Sequence, residues 1–213
     1  MKKYISLGTN CSVAYQLRKL GLREEAYPFD WCSTNYKNLL EVLKNDFKDY
    51  EKVFIKKFSD NHILFKNEDV FDEKVDKKGT YIFKNGYGIT FAHELIEEND
   101  ENIDKFKETI NRRIKRFREL DGNIVFIRIE INDKIFNYNE LIEILDKKFL
   151  NYKIIILGNI EYEKTSNGNI DYEKTSNGNI DYEKTSNGKI EYYKLPEFKD
   201  WKYDNFDWNI IFN

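Results

Sequence analysis

Two cysteines, two histidines, two prolines and a single methionine are all that 213 residues contain of those types. Each shortage removes a class of protein. Two cysteines cannot build a disulfide framework, so the fold must rest on an ordinary hydrophobic core, and both are expected as thiols. A composition of 40% hydrophobic and 16% aromatic residues supplies that core. No Cys/His spacing of the metal-binding kind occurs, and there is neither a Walker loop nor a Rossmann glycine fingerprint, so no metal and no cofactor are expected. No apolar run approaches the ~20 residues that cross a bilayer. The opening "MKKYISLGTN" lacks the apolar centre of a signal peptide, which leads us to expect a soluble, cytoplasmic protein with no membrane partner. The formal charge of −3, with 35 basic against 38 acidic residues, argues against nucleic acid as a partner.

What is present reads as an α/β domain. The run "YISL" ends at Gly8, and from Cys11 the period changes: Val13, Ala14, Leu17 and Leu20 share a helical face. Thr9 or Asn10 can cap the first turn, and Gly21 stands where a left-handed residue closes a helix. Cys11 is thus expected in the first helical turn, directly after a strand. A second helix, started at Ser33 or Thr34, is expected over 35–47, with Tyr36, Leu39, Leu40, Leu43 and Phe47 on its apolar face. Residues 53–83 read as short strands and loops. "YIFKNGYGITFAH" reads as a hairpin with a two-residue turn at Asn85-Gly86, which puts Tyr87, Ile89, Phe91 and His93 on one face of its second strand. A long helix over 102–120 follows. Then "NIVFIRIEI", "YNELIEILDKKFL" and "YKIIILGN" read as strand, helix and strand, a βαβ unit whose continuously apolar strands are covered on both faces.

The expected architecture is one domain over 1–213. It has a central, mostly parallel sheet flanked by helices, an antiparallel hairpin in the middle and a C-terminal repeat insert. The insert, 159–188, holds three near-identical ten-residue copies such as "NIDYEKTSNG". Three short copies fit recent duplication better than a solenoid. Each reads as a short strand and a turn, forming a hairpin, a stack of strands or a loop, with no chemistry of its own. The closing "DWKYDNFDWNIIFN" carries Trp201 and Trp208 and is expected to pack back onto the core.

A thiol in the first turn of a helix has a physical reason to react, because the unpaired amides and the positive end of the dipole favour the thiolate. It needs a base, and only His62 and His93 are offered; His93, at the end of a firm strand, is the better placed. Asp30, Glu94, Asp204 or Asp207 could orient the imidazole. Against this, Cys11 can be a small buried hydrophobe and His93 a satisfied core residue. Cys32 reads as packing. Arg112, Arg113, Arg116 and Arg118 read as a solvated helix face. Arg128 and Glu130 alternate with Ile129 and Ile131 at the carboxyl end of a buried strand, where open α/β sheets bind ligands, although an ion pair is the simpler reading.

Several segments together carry a resemblance: "SLGTNCSVAYQLRKLGLREEAYPFDW", "FAHE", "RRIKRF" before "VFIR", and "DWKYDNFDW". They resemble a family of papain-like cysteine peptidases, otherwise of unknown function, found in bacteria and large DNA viruses. The resemblance implies Cys11 as nucleophile and His93 as its partner, in a bacterial or host cytoplasm. Asp30, within "YPFDW", is its candidate orienting acid. The expected activity is that of a thiol-dependent hydrolase or acyltransferase on a peptide or other acyl substrate. Backbone amides near Asn10 and Ser12 would hold the oxyanion. The strand–nucleophile–helix order is also that of lipase- and esterase-like sites, with Cys in place of Ser. The alternatives are a non-catalytic α/β binding module and a sugar or nucleotide transferase using Arg128 and Glu130.

Overall fold

The apolar runs become strands of one sheet. The computed structural model describes residues 2–57, 81–91, 100–130, 138–158, 172–176, 181–185, 188–196 and 201–212. In it β1 (Lys2–Ser6) lies parallel to β6 (Asn123–Glu130), and β6 lies parallel to β7 (Tyr152–Gly158). The crossover between β6 and β7 contains the helix Asn139–Asp146. Ile190–Lys194 then pairs parallel to β7 on its far side. Every residue of β6 after Asn123 is buried, which is why its sequence shows no polar alternation.

Alternate residues of these strands feed two separate cores. Ile5, Leu7, Ile124, Phe126, Ile154 and Ile156 face one side. There they meet α2 (Tyr36–Lys44), α3 (Asp100–Arg118) and α4 (Asn139–Asp146), through residues such as Leu39, Leu43, Ile110, Phe117 and Leu141. Tyr4, Val125, Ile127, Ile129, Ile155 and Leu157 face the other, where α1 (Ser12–Lys19) contributes Val13 and Leu17. The closing segment completes that side with Tyr203, Phe206, Trp208 and Ile211, so the C-terminal aromatics do pack back onto the sheet. No helix among the described residues is long and apolar enough to cross a membrane.

A small antiparallel sheet sits apart from the main one. It joins β2 (Cys32–Ser33), β5 (Thr90–Phe91), β4 (Tyr81–Asn85) and β3 (Val53–Lys57) in the order β2-β5-β4-β3. The hairpin forms, but its turn is wider than two residues. Asn85 Oδ1 accepts from the amides of both Tyr87 and Ile89, and the Asn85 amide donates to the Ile89 carbonyl. Gly88, at φ 77°, supplies the left-handed residue that Gly86 was expected to supply. The side chain of Asn85, tied also to the Tyr50 carbonyl, fixes the loop. The start of α2 shifts for a similar reason. Ser33 is claimed by its pairing with Thr90, so Asn35 caps the helix instead, accepting from the Asn38 amide at 2.8 Å. Phe47 lies beyond the helix end at φ 61°, yet remains buried.

The repeat joins the main sheet rather than standing apart from it. β8 (Tyr172–Ser176) pairs antiparallel with β9 (Asp181–Thr185), and β9 pairs antiparallel with β10 (Ile190–Lys194). The register sets one copy's Tyr-Glu-Lys-Thr against the next copy's: Tyr172 opposite Thr185, Glu173 opposite Lys184. A duplicated segment that pairs with itself in this way can add strands at the sheet edge while leaving the β7–β10 pairing in place. Deleting one ten-residue copy, 169–178, is therefore expected to leave the melting midpoint nearly unchanged. Thermal denaturation of the deletion variant checks this, and a large drop would mean that the outer strands support the core.

Candidate active site

The strand-to-helix turn ahead of Cys11 is strained. The Leu7 amide extends the β1 ladder to the Ile127 carbonyl at 2.8 Å. Gly8 and Thr9 then take φ of 78° and 86°. At Gly8 a Cβ would overlap Thr34 Cγ2 as well as adopting an unfavourable φ, so only glycine fits. At Thr9 a β-branched residue holds a conformation that such residues rarely adopt, at a cost of ~1–3 kcal/mol. Asn10 Oδ1 accepts from the Ser12 amide at 3.0 Å, and Cys11 itself is the N-cap of α1. The helix thus starts one residue later than its sequence suggests, with Cys11 at its mouth. It ends as expected at Gly21, φ 67°, where the Leu22 amide reaches back to the Leu17 carbonyl.

The two thiols are in different environments. Cys11 is half-buried, whereas Cys32 is 1% exposed. Burial pushes the Cys32 thiol well above the ordinary thiol range, and the neighbouring Cys11 pushes it the same way. Cys32 is a packing residue.

Beneath the turn lies Arg128, also 1% exposed. Its Nε donates to Glu130 Oε1 at 2.6 Å, its Nη1 to the Leu7 carbonyl at 3.0 Å and its Nη2 to the Thr34 carbonyl at 3.1 Å. Glu130 also accepts from the Tyr138 hydroxyl at 3.0 Å. The ion pair between Arg128 and Glu130 is formed, and the guanidinium is engaged by the protein itself.

Asp30 is fully buried. Its Oδ2 accepts from Arg23 Nη1 and from the Tyr27 amide, both at 2.8 Å. Its Oδ1 is buried with no hydrogen-bond partner among the described residues. Burial raises its carboxyl to about 6, against the downward pull of Arg23, the Tyr27 amide and Arg113. Arg23 in turn lies over the Trp31 ring. Asp30 is two residues from Cys32, and both Asp30 and Cys11 act electrostatically on that thiol.

The C-terminal segment is fastened along α1. Ser12 Oγ donates to the Trp201 carbonyl, and Gln16 Nε2 donates to the Lys202 carbonyl and to Asp204, each at 2.7 Å. Trp201 meets the Tyr15 ring edge-on at 5.2 Å. Asp204 pairs with Lys19, and Asp207 caps the closing turn through the Asn209 amide. The arginines of α3 divide. Arg112 and Arg118 are exposed, but Arg113 is buried and Arg116 is half-buried against Glu25. They face the 23–30 loop because that loop packs on the helix, a tertiary contact that periodicity alone does not reveal. His93, His62 and Glu94 lie outside the described residues. Thr9, expected as a possible helix cap, instead holds a positive φ in the turn, and the Tyr15–Trp201 ring contact was missed in the sequence.

Comparison with known proteins adds the family. The sequence profile described as "Putative papain-like cysteine peptidase (DUF1796)" matches residues 2–158. The chain belongs to that family. The matched stretch runs from β1 to the end of β7 and so includes the Cys11 turn, Asp30 and the Arg128–Glu130 pair, but not the repeat or the C-terminal segment. The chain is also similar to the uncharacterized protein R408 of Acanthamoeba polyphaga mimivirus, 30% identical over 154 residues, which cover 67% of this chain and 68% of that one. No solved structure matches the chain significantly.

The buried acid gives a stability prediction. A carboxyl raised from 3.8 to about 6 favours the folded state only while it is protonated. Its contribution is complete below about pH 4 and is lost as the pH rises through about 6. Asp30→Asn keeps the shape without the titration. Its unfolding free energy, relative to wild type, should rise by about 3 kcal/mol between pH 4 and pH 7 and then level off. Urea melts at several pH values check this, and a difference that is flat or falls with pH would contradict it.

Proposed function

We propose that the protein is a thiol-dependent hydrolase or acyltransferase, with Cys11 as nucleophile, His93 as general base and acid, and Asp30 as the acid that orients the imidazole. The observation that carries the reading is the strained Gly8–Thr9 turn, which places an accessible thiol at the mouth of α1 at the carboxyl end of a parallel sheet. Membership of the peptidase family supports it. So does the buried Oδ1 of Asp30, which has no partner among the described residues and can accept an imidazole N–H.

The chemistry follows from these groups. Cys11 Sγ, as thiolate, attacks the acyl carbon and forms a C–S bond, and the carbonyl electrons move onto oxygen. Collapse of that oxyanion breaks the bond to the leaving nitrogen or oxygen, which takes a proton from the His93 imidazolium. Water or an acceptor amine, deprotonated by His93, then attacks the thioester and releases the Cys11 thiolate. The Ser12 amide is held by Asn10 Oδ1, which fixes the Asn10 carboxamide. We assign its NH₂ group, rather than the Ser12 amide, to the oxyanion. Arg128 and Glu130 act from beneath, as the support of the turn.

Acylation by p-nitrophenyl acetate, followed through p-nitrophenolate release and adduct mass, tests the roles. His93→Ala is expected to slow acylation of Cys11 by ~10²–10⁴. Asn10→Ala is expected to slow it by ~10²–10³. The melting midpoint should stay in place in His93→Ala, whereas Asn10→Ala, which also loses the bond to the Ser12 amide, should melt a few degrees lower, by about 1 kcal/mol. A His93→Ala protein that acylates normally but melts early would assign the histidine to the core and overturn the proposal.

A further inference from the structure

We infer that the repeat gives the main sheet an edge that accepts further copies of itself but refuses a second molecule of this chain. The inference does not depend on the chemistry at Cys11. Among the described residues the sheet ends on one side at β8, with β9 and β10 between it and β7. An outer strand leaves a row of amides and carbonyls on which another chain can pair, the usual origin of edge-to-edge association. No proline interrupts the copies, each of which reads Tyr-Glu-Lys-Thr, at 162–165, 172–175 and 182–185. Protection of the edge therefore falls to the order of those four residues.

Antiparallel pairing restricts what that order can do. Consecutive residues of a strand turn their backbone groups to opposite sides. Two residues stand opposite each other only when both turn toward the shared ladder or both turn away. Between β8 and β9 the adopted register sets Glu173 opposite Lys184 and Lys174 opposite Glu183. Successive copies are joined in one chain, so each new strand can take the offset that sets unlike charges opposite. Two outer strands from two molecules cannot. They are the same strand with the same residues turned outward, so a residue meets only itself or one an even number of places away. Glu173 and Lys174 are adjacent and never meet across such an interface. The register of full overlap sets Lys174 opposite Lys174. Sliding one way sets Glu173 opposite Glu173, and sliding the other way shortens the overlap and still gives neither charge an opposite one. Like charges directly opposed destabilise a strand pair. The restriction is the same whichever copy stands outermost, because the order of the four residues is the same in all three.

Sedimentation velocity of the full chain over a rising concentration series tests this against variants of identical composition and charge. The first exchanges Lys and Thr in two copies: Lys164→Thr, Thr165→Lys, Lys174→Thr and Thr175→Lys. It places the acid and the base two residues apart, so Glu173 of one molecule can stand opposite the new lysine of the other. Within the chain Glu173 still stands opposite Lys184. The second variant, Tyr162→Glu, Glu163→Tyr, Tyr172→Glu and Glu173→Tyr, reaches the same spacing from the other side. Wild type is expected to remain at 25.7 kDa at concentrations about tenfold above those at which the variants approach twice that mass. Two variants that stay monomeric alongside wild type, or a wild type that associates as readily as they do, would overturn the inference.

Discussion

The guanidinium of Arg128 is the interaction on which the site depends. It is buried at the carboxyl end of β6, and each of its three nitrogens donates to a different segment: the Leu7 carbonyl at the end of β1, the Thr34 carbonyl before α2, and Glu130 on its own strand. Tyr36 on α2 offers its ring to the same charge, and Tyr138 hydrogen-bonds to the same glutamate. A buried charge of this kind is tolerable only when every donor is satisfied. Removing one partner of such a pair costs ~3–5 kcal/mol. The consequence is geometric. The last residue before the Gly8–Thr9 turn and the segment that follows Asp30 are pinned to one rigid group, so Cys11 and Asp30 are held in a common frame.

That frame accounts for the strain above it. Leu7 is anchored by its carbonyl and Thr34 packs directly over Gly8, so the chain has little room in which to turn toward α1. It does so through two successive residues of positive φ. The same frame separates the two thiols. Cys32 is drawn into the core through its pairing with Phe91, whereas Cys11 is left at the helix mouth. A fully buried carboxylate with an oxygen unpartnered among the described residues and a raised pKa is unfavourable for stability, and groups of that kind concentrate where chemistry is done.

Most of the fold was legible in the sequence, because it follows from periodicity. The unbroken apolar runs of β6 and β7 could only be covered strands, and the helical faces of α1 and α3 follow from residue spacing. Gly21 marked its own helix end. What was not legible depended on partners distant in sequence. Asn85 widened its turn through a bond to Tyr50, Ser33 lost its capping role to a ladder with Thr90, and Arg113 was buried by the loop that carries Asp30. At the site, Cys11 and Asp30 stood out by residue type and motif. The task of Arg128 was only half visible: a charge within an apolar strand signals a buried pair, but not that the pair clamps the turn before Cys11. The Tyr15–Trp201 contact could not be read at all, since it joins residues far apart in the sequence.

Mapping iodoacetamide adducts by mass spectrometry on the native protein at neutral pH tests the central claim most directly, because it asks the two thiols the same question in one molecule. The account predicts that Cys11 is modified faster than glutathione under the same conditions, and that Cys32 stays unmodified until the protein is unfolded. Modification of Cys11 no faster than glutathione, or of Cys32 before Cys11, would contradict it.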